Sequence, residues 1–222
     1  MAVLVAGGTG HLGNAVVREL IGSGYEVAAT WVVEHERERL ESEPVELIEA
    51  DLFIPEQVDA AVAAIDDLDA VVNLVGGFSG GGLIHETDPQ DFERMWRLNV
   101  MPGFLLARAA MPGLIDRGGG AFVGVSARPA LRPYPGAAGY ISAKAAVLAL
   151  IQALDAEYKH NGIRCNAILP SVIDTPANRE AMPNADHAKW VPPEQIAKVV
   201  RFLVSSDSKA TTGAAVPVYG RA

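Results

Sequence analysis

Ala2 to Ala6 is an unbroken apolar run, and the turn Gly7-Gly-Thr-Gly-His-Leu-Gly13 follows it at once. Behind the turn, Asn14-Ala-Val-Val-Arg-Glu-Leu-Ile21 is apolar at helical spacing and is stopped by Gly22-Ser-Gly24. Five consecutive apolar residues suit a strand buried on both faces. Strand, glycine turn and helix in succession confine the chain to an α/β architecture. The glycines permit a tight turn and let backbone approach a pyrophosphate, while the helix amino terminus offers free N–H groups and a partial positive charge. Gly7, Thr9, Gly10, His11, Leu12 and Gly13 are therefore candidate nucleotide contacts. Their spacing, Gly7-x-x-Gly10-x-x-Gly13, differs from G-x-G-x-x-G, and a turn needed only for packing is the competing reading.

The strand-then-helix alternation continues. Further strands are expected over 26–33, 45–50, 70–75, 121–125, 164–169 and 215–219, with helices after Pro55, after Asp88-Pro89, over 139–159 and over 193–204. This predicts a single doubly wound Rossmann-type domain, residues 1–222, with a mostly parallel seven-stranded sheet. The proline-rich segment at about 171–192 reads as a lid loop at a strand's carboxyl end. With 222 residues and 50% hydrophobic content the chain can build one large core. A net charge of −9 without a basic stripe argues against nucleic acid. The apolar runs fall short of the ~20 residues of a membrane helix, so no membrane partner is expected. The amino terminus does not read as a signal peptide. One cysteine, Cys165, excludes an internal disulfide framework and fits a cytoplasmic setting. No metal site is expected.

Other positions carry cofactor readings. An acid usually ends the second strand and bonds the adenosine ribose; here that place holds Trp31. Glu34 reaching a ribose, Arg37 and Arg39 meeting a 2′-phosphate, and a solvated helix face over 34–41 all remain open, so the cofactor is NAD or NADP. Asp51, followed by Leu52, can accept from an adenine amino group or cap the helix after Pro55. Asn73 should tie neighbouring strands, since a buried amide must be bonded. Gly76 opens a glycine loop. Pro102 should kink or open its helix beside Asn99, where a loosened carbonyl and an amide can hold a water linked to Lys144.

The segment from Ser126 to Lys144 carries the chemistry. Tyr140 and Lys144 stand four residues apart, hence on one helix face. The ammonium is expected to pull the phenol's pKa down and so tune it for proton exchange with a carbonyl or hydroxyl oxygen. Ser126, at the end of a strand, can bond the same oxygen. Such a triad cannot itself store a hydride, so a cofactor is required.

These residues resemble the short-chain dehydrogenase/reductase family, along the whole chain. The matching pieces are the glycine turn, Asp51, Asn73-x-x-Gly76, Asn99, Ser126, Tyr140-x-x-x-Lys144, and Asn166-Ala-Ile-Leu-Pro170 with Thr175. The resemblance implies that Tyr140 is the acid/base, Ser126 steadies the substrate oxygen, and Lys144 lowers the tyrosine pKa and holds the nicotinamide ribose. It further implies that Asn99 places a relay water and that Pro170, Ile173 and Thr175 lie at the nicotinamide end. A small carbonyl/alcohol substrate and a homodimer or homotetramer, assembled through the helices bearing Asn99 and Tyr140, are implied too. Residues 169–190 are similar to the lid of dihydropteridine reductases. Ser126 and Trp31 depart from that pattern, so the lid and the reductase chemistry carry over and the pterin does not. A 3-oxoacyl-carrier reductase (with Arg128 and Arg132 facing an acidic carrier), a sugar-nucleotide epimerase or dehydratase, and a non-catalytic nucleotide sensor stand as alternatives.

Overall fold

Within β1 (Ala2–Ala6), Leu4 and Ala6 join one core cluster and Val3 and Val5 the other, so both faces of this strand are buried. The computed structural model, which describes residues 1–221, builds the rest around that strand. In order follow α1 (His11–Gly22), β2 (Glu26–Trp31), α2 (Glu34–Arg37), β3 (Glu46–Glu49), α3 (Pro55–Ala63) and β4 (Leu68–Asn73). Then come α4 (Pro89–Asp116), β5 (Gly120–Val125), α5 (Ala138–Tyr158), β6 (Ile163–Pro170), α6 (Pro176–Ala181), α7 (Pro193–Val204) and β7 (Ala215–Val218). The seven strands form one sheet in the order β3-β2-β1-β4-β5-β6-β7. Every pairing is parallel, so the expected sheet is parallel throughout.

Side-chain alternation sorts the helices to two faces. Phe122, Cys165 and Leu169 meet Val58 of α3, Leu106 of α4 and Ile151 of α5 on one face. Ala121, Val123 and Ile168 meet Val16 and Leu20 of α1 and Ile196 and Leu203 of α7 on the other. Fully burying a side chain such as Phe122 contributes ~1.5–3 kcal/mol.

α4 and α5 do reach a length and apolar content compatible with crossing a bilayer, contrary to the expectation from apolar runs. The sheet takes up the apolar face of each: Leu105, Leu106, Leu114, Leu148, Ile151 and Leu154 all lie in the core. Asp88 caps α4 by accepting from the Gln90 N–H at 2.8 Å, with Pro89 at its first position. The helix runs through Pro102 to Asp116 and does not open beside Asn99. Packing on α3 and α5 along its length offsets the single backbone bond that proline removes.

Two strands end two residues short of the expectation. β2 stops at Trp31, leaving Val32 and Val33 exposed, and β4 stops at Asn73. The Asn73 amide does not tie neighbouring strands; its Oδ1 accepts the N–H of Val75, two residues on, and turns the chain out of the sheet. Asp51 likewise does not cap α3, whose cap is Ile54; its Oδ1 accepts from the Phe53 N–H at 2.9 Å in a local turn.

The glycine turn is packed against itself. A Cβ on Gly13 would stand 2.2 Å from the Gly7 carbonyl oxygen and 2.6 Å from the Gly8 carbonyl carbon, both backbone atoms that cannot swing aside. Gly13→Ala is expected to lower the unfolding free energy by ~1–3 kcal/mol. The change should read as a lower urea midpoint at unchanged m; a wild-type midpoint would show that the turn has room to open.

Candidate active site

The chain leaves β1 toward β2 on one side and returns to β4 on the other. Ligands enter parallel sheets at such a reversal, outside the carboxyl ends of the strands. α1 begins there. Its cap, Gly10, makes no side-chain bond, and no acid occupies the first turn, so nothing in the helix's own sequence neutralises its free N–H groups. The turn is held from three directions. The Thr30 hydroxyl accepts from the Gly7 N–H at 3.0 Å, Arg39 donates to the Thr9 carbonyl at 2.9 Å, and Asn14 donates to the Arg39 carbonyl at 3.2 Å. An uncapped helix start in a fixed glycine cradle fits a pyrophosphate. At the far end of β2 the Arg37 guanidinium lies 5.5 Å above the Trp31 ring, and Glu34 pairs with Arg37. Glu34 is thus engaged within the short α2, and Arg39 serves the glycine turn.

Three residues of the sequence triad converge. The Ser126 hydroxyl donates to the Lys144 carbonyl at 2.7 Å, and the Lys144 ammonium donates back to the Val125 carbonyl at 2.9 Å. These bonds clasp α5 to the end of β5. Ser126 and Lys144 are buried, and Tyr140, one turn earlier on α5, is half-buried with the Lys144 Nζ 5.9 Å from its ring centre. Gly76 permits the approach: a Cβ there would meet the Asn99 Oδ1 at 2.6 Å and the Lys144 Nζ at 3.0 Å. Asn99 donates to the carbonyls of Met95 (2.9 Å) and Gly77 (3.1 Å) and accepts from the Gly77 N–H (3.2 Å). Both amide hydrogens are engaged, so this side chain staples the glycine loop to α4.

A cavity of about 590 Å³ opens over this clasp. Of the residues expected from sequence, Leu12, Gly76, Ser126, Tyr140, Lys144, Pro170 and Ile173 line it. Gly7, Thr9, Gly10, His11 and Gly13 form the adjoining cradle, while Trp31, Asp51, Leu52 and Asn73 stand outside the lining. Thr175 is also outside it; its hydroxyl caps α6, accepting from the Asn178 N–H at 3.2 Å. Phe78, Tyr134 and Met182 line the cavity and were not anticipated. Phe78 meets Tyr140 edge-on, ring centres 5.1 Å apart. A phenylalanine set within a glycine loop was the available signal for it. Within residues 171–192, Ile173 pairs with Val191 and Arg179 forms a two-pronged ion pair with Asp174 at 2.5 and 2.8 Å.

Residues 8–220 match the family described as enoyl-(acyl carrier protein) reductase. The chain is 29% identical to 2-(R)-hydroxypropyl-CoM dehydrogenase of Xanthobacter autotrophicus, over 98% of this chain and 96% of the relative. It is 31% identical to 4-formylbenzenesulfonate dehydrogenase of Comamonas testosteroni, over 73% and 70%. The solved structure of ElxO with NADP bound superposes with a TM-score of 0.92 at 25% identity, covering 99% of this chain and 97% of that one. The chain belongs to the short-chain dehydrogenase/reductase family. It is an oxidoreductase that uses NAD or NADP and acts on a small molecule.

For a short-chain dehydrogenase/reductase the electrostatics of the free protein run against the sequence expectation. Lys144 does not acidify Tyr140. Burial, and next the neighbouring Tyr134, push the phenol up to about 12, while burial brings the ammonium down to about 8. The cation is held by the Val125 carbonyl, not by the phenol oxygen. The Ser126 hydrogen is likewise committed to the helix, so it must leave the Lys144 carbonyl before it can donate to a substrate oxygen.

The buried ammonium makes stability depend on pH. Between about 8 and the ordinary 10.5, Lys144 is neutral in the folded protein and charged in the unfolded one. The unfolded state then binds the extra proton, so stability rises with pH through that window and is at its lowest below it. Lys144→Met should exceed the wild type in stability at pH 7, by on the order of 1–3 kcal/mol, with the advantage shrinking toward pH 10. Urea unfolding at the two pH values checks this, and a variant less stable than wild type at pH 7 contradicts it.

Proposed function

We propose that this protein interconverts a carbonyl and an alcohol on a small molecule, with Tyr140 as the proton donor and acceptor. One observation carries the reading: Ser126, Tyr140 and Lys144 meet in a single cavity beside the uncapped, glycine-cradled start of α1. When bound there, the nicotinamide cofactor supplies or takes the hydride at the substrate carbon. Reduction also requires a proton at the oxygen, and Tyr140, protonated at neutral pH, can give it. In the reverse direction the phenolate takes the proton from the alcohol. Lys144 is cationic below about 8 and lies 5.9 Å from the Tyr140 ring centre, so once its ammonium turns from the Val125 carbonyl it can stabilise the phenolate left after transfer. Ser126 turns from the Lys144 carbonyl to the substrate oxygen. Asn99 positions the Gly76–Gly77 stretch of the wall through its bonds to Gly77.

The same reading assigns the cradle to the pyrophosphate, Trp31, Asp51 and Leu52 to the adenosine end, Asn73 and Gly76 to the β4 side, and Pro170, Ile173 and Thr175 to the nicotinamide end. We further propose assembly as a homodimer or homotetramer through α4 and α5, supported by Trp96 and Phe104, which α4 leaves exposed. A cytoplasmic setting is compatible with Cys165, a buried thiol whose pKa burial pushes up to about 12.

Tyr140→Phe removes the transferable proton and little volume. Turnover, followed by nicotinamide absorbance across a panel of aldehydes and ketones, is expected to fall by ~10²–10⁴-fold. Cofactor affinity, followed by titration, should stay close to wild type. Undiminished turnover in this variant removes Tyr140 from the mechanism.

A further inference from the structure

Arg128 and Arg132 line the same cavity, and the proton chemistry gives them no task. They follow directly on β5. Residues Arg128–Ala130 form a 3-10 turn, and the Arg132 N–H donates to the Arg128 carbonyl at 3.0 Å, so the two arginines stand one turn apart on one side. The third charged side chain of the lining is Lys144, and among the described residues no carboxylate joins them. In a protein of net charge −9 this is a marked local excess of cations.

The excess is not neutralised from the side. Arg37, Arg94, Arg108, Arg117, Arg179 and Arg201 each hold a carboxylate. Arg128 instead lies over the Tyr219 ring at 5.2 Å, Arg132 is exposed, and neither pairs with an acid among the described residues. Like charges one turn apart repel each other, and an anion between two guanidiniums relieves that repulsion while accepting charge-assisted hydrogen bonds from both. Phe78, Tyr134 and Met182 supply apolar wall in the same cavity, against which a ring or a short chain can pack. The cofactor's phosphates have their own place at the start of α1, so they leave these arginines free.

We propose that the substrate carries, apart from its reacting carbonyl or hydroxyl, a carboxylate, sulfonate or phosphate group that Arg128 and Arg132 hold while Tyr140 and Ser126 meet the reacting oxygen. This assignment rests on the oxidoreductase reading of the cavity and narrows it to anionic substrates.

The test is calorimetric titration of benzoate, and of benzamide as its neutral counterpart, into protein saturated with NADH or NADPH at pH 7 and low salt. Wild type should bind benzoate about tenfold or more tightly than benzamide. Arg128→Gln/Arg132→Gln should lose that preference, and Arg128→Lys/Arg132→Lys should keep much of it. Melting temperature and cofactor affinity confirm that both double variants are folded. Equal affinity for the two ligands, no measurable benzoate binding, or a preference that survives in the glutamine variant overturns the proposal. Failure of the carbonyl/alcohol reading shows separately, as no nicotinamide turnover by the wild type with any aldehyde or ketone of the panel, and leaves the benzoate comparison readable.

Discussion

Two hydrogen bonds running in opposite directions hold the site together. Ser126 donates to the Lys144 carbonyl, and Lys144 donates to the Val125 carbonyl one residue before Ser126. They fix the first turns of α5 against the end of β5, and Tyr140 takes its place from them. Such a clasp requires an ammonium in a site that is only 5% exposed. Burial of an ion is unfavourable unless it is bonded, and the single carbonyl only partly offsets it, which is why the lysine's pKa drops. A site of this kind trades stability for a cation beside the Tyr140 ring.

The glycines show the same coincidence of packing and chemistry. Gly13 is needed because Gly7 and Gly8 backbone already fills the space a side chain would take, and the tight turn that results exposes the start of α1. Gly76 lets Lys144 and Asn99 come together beneath the cavity. A purely structural reading of either glycine and a functional one describe the same contact. The cation-rich wall beyond them belongs to a different segment, the loop after β5, and can vary without disturbing the clasp.

Much of this was legible in the sequence. The apolar run, glycine turn and amphipathic helix place α1 and β1, and the spacing of Tyr140 and Lys144 places both on one face of α5. Spacing reports a face and not a partner. It could not show that the Val125 carbonyl holds the ammonium or that burial raises the phenol, so the expected lowering of the phenol's pKa is not found in the free protein. The staple that Asn99 makes was not legible either: its partner, Gly77, lies 22 residues away in the chain and comes near only through the return of the glycine loop. Phe78, Tyr134 and Met182 reach the cavity from three separate loops, with no periodicity to announce them. Asp51 was read as an adenine contact or a cap for α3 and Asn73 as a tie between strands; in the structure each bonds backbone two residues on, the habit of these side chains at strand ends.

The central claim is that in the free protein Lys144 is committed to the strand and leaves Tyr140 a protonated acid. Carbon-13 NMR of ring-labelled tyrosine, with Tyr140→Phe identifying the signal, measures this directly. The Tyr140 resonance should stay that of the phenol through pH 10, with a midpoint at about 12. A midpoint below the ordinary value of 10.0 would show the ammonium acting on the phenol after all and would contradict this account.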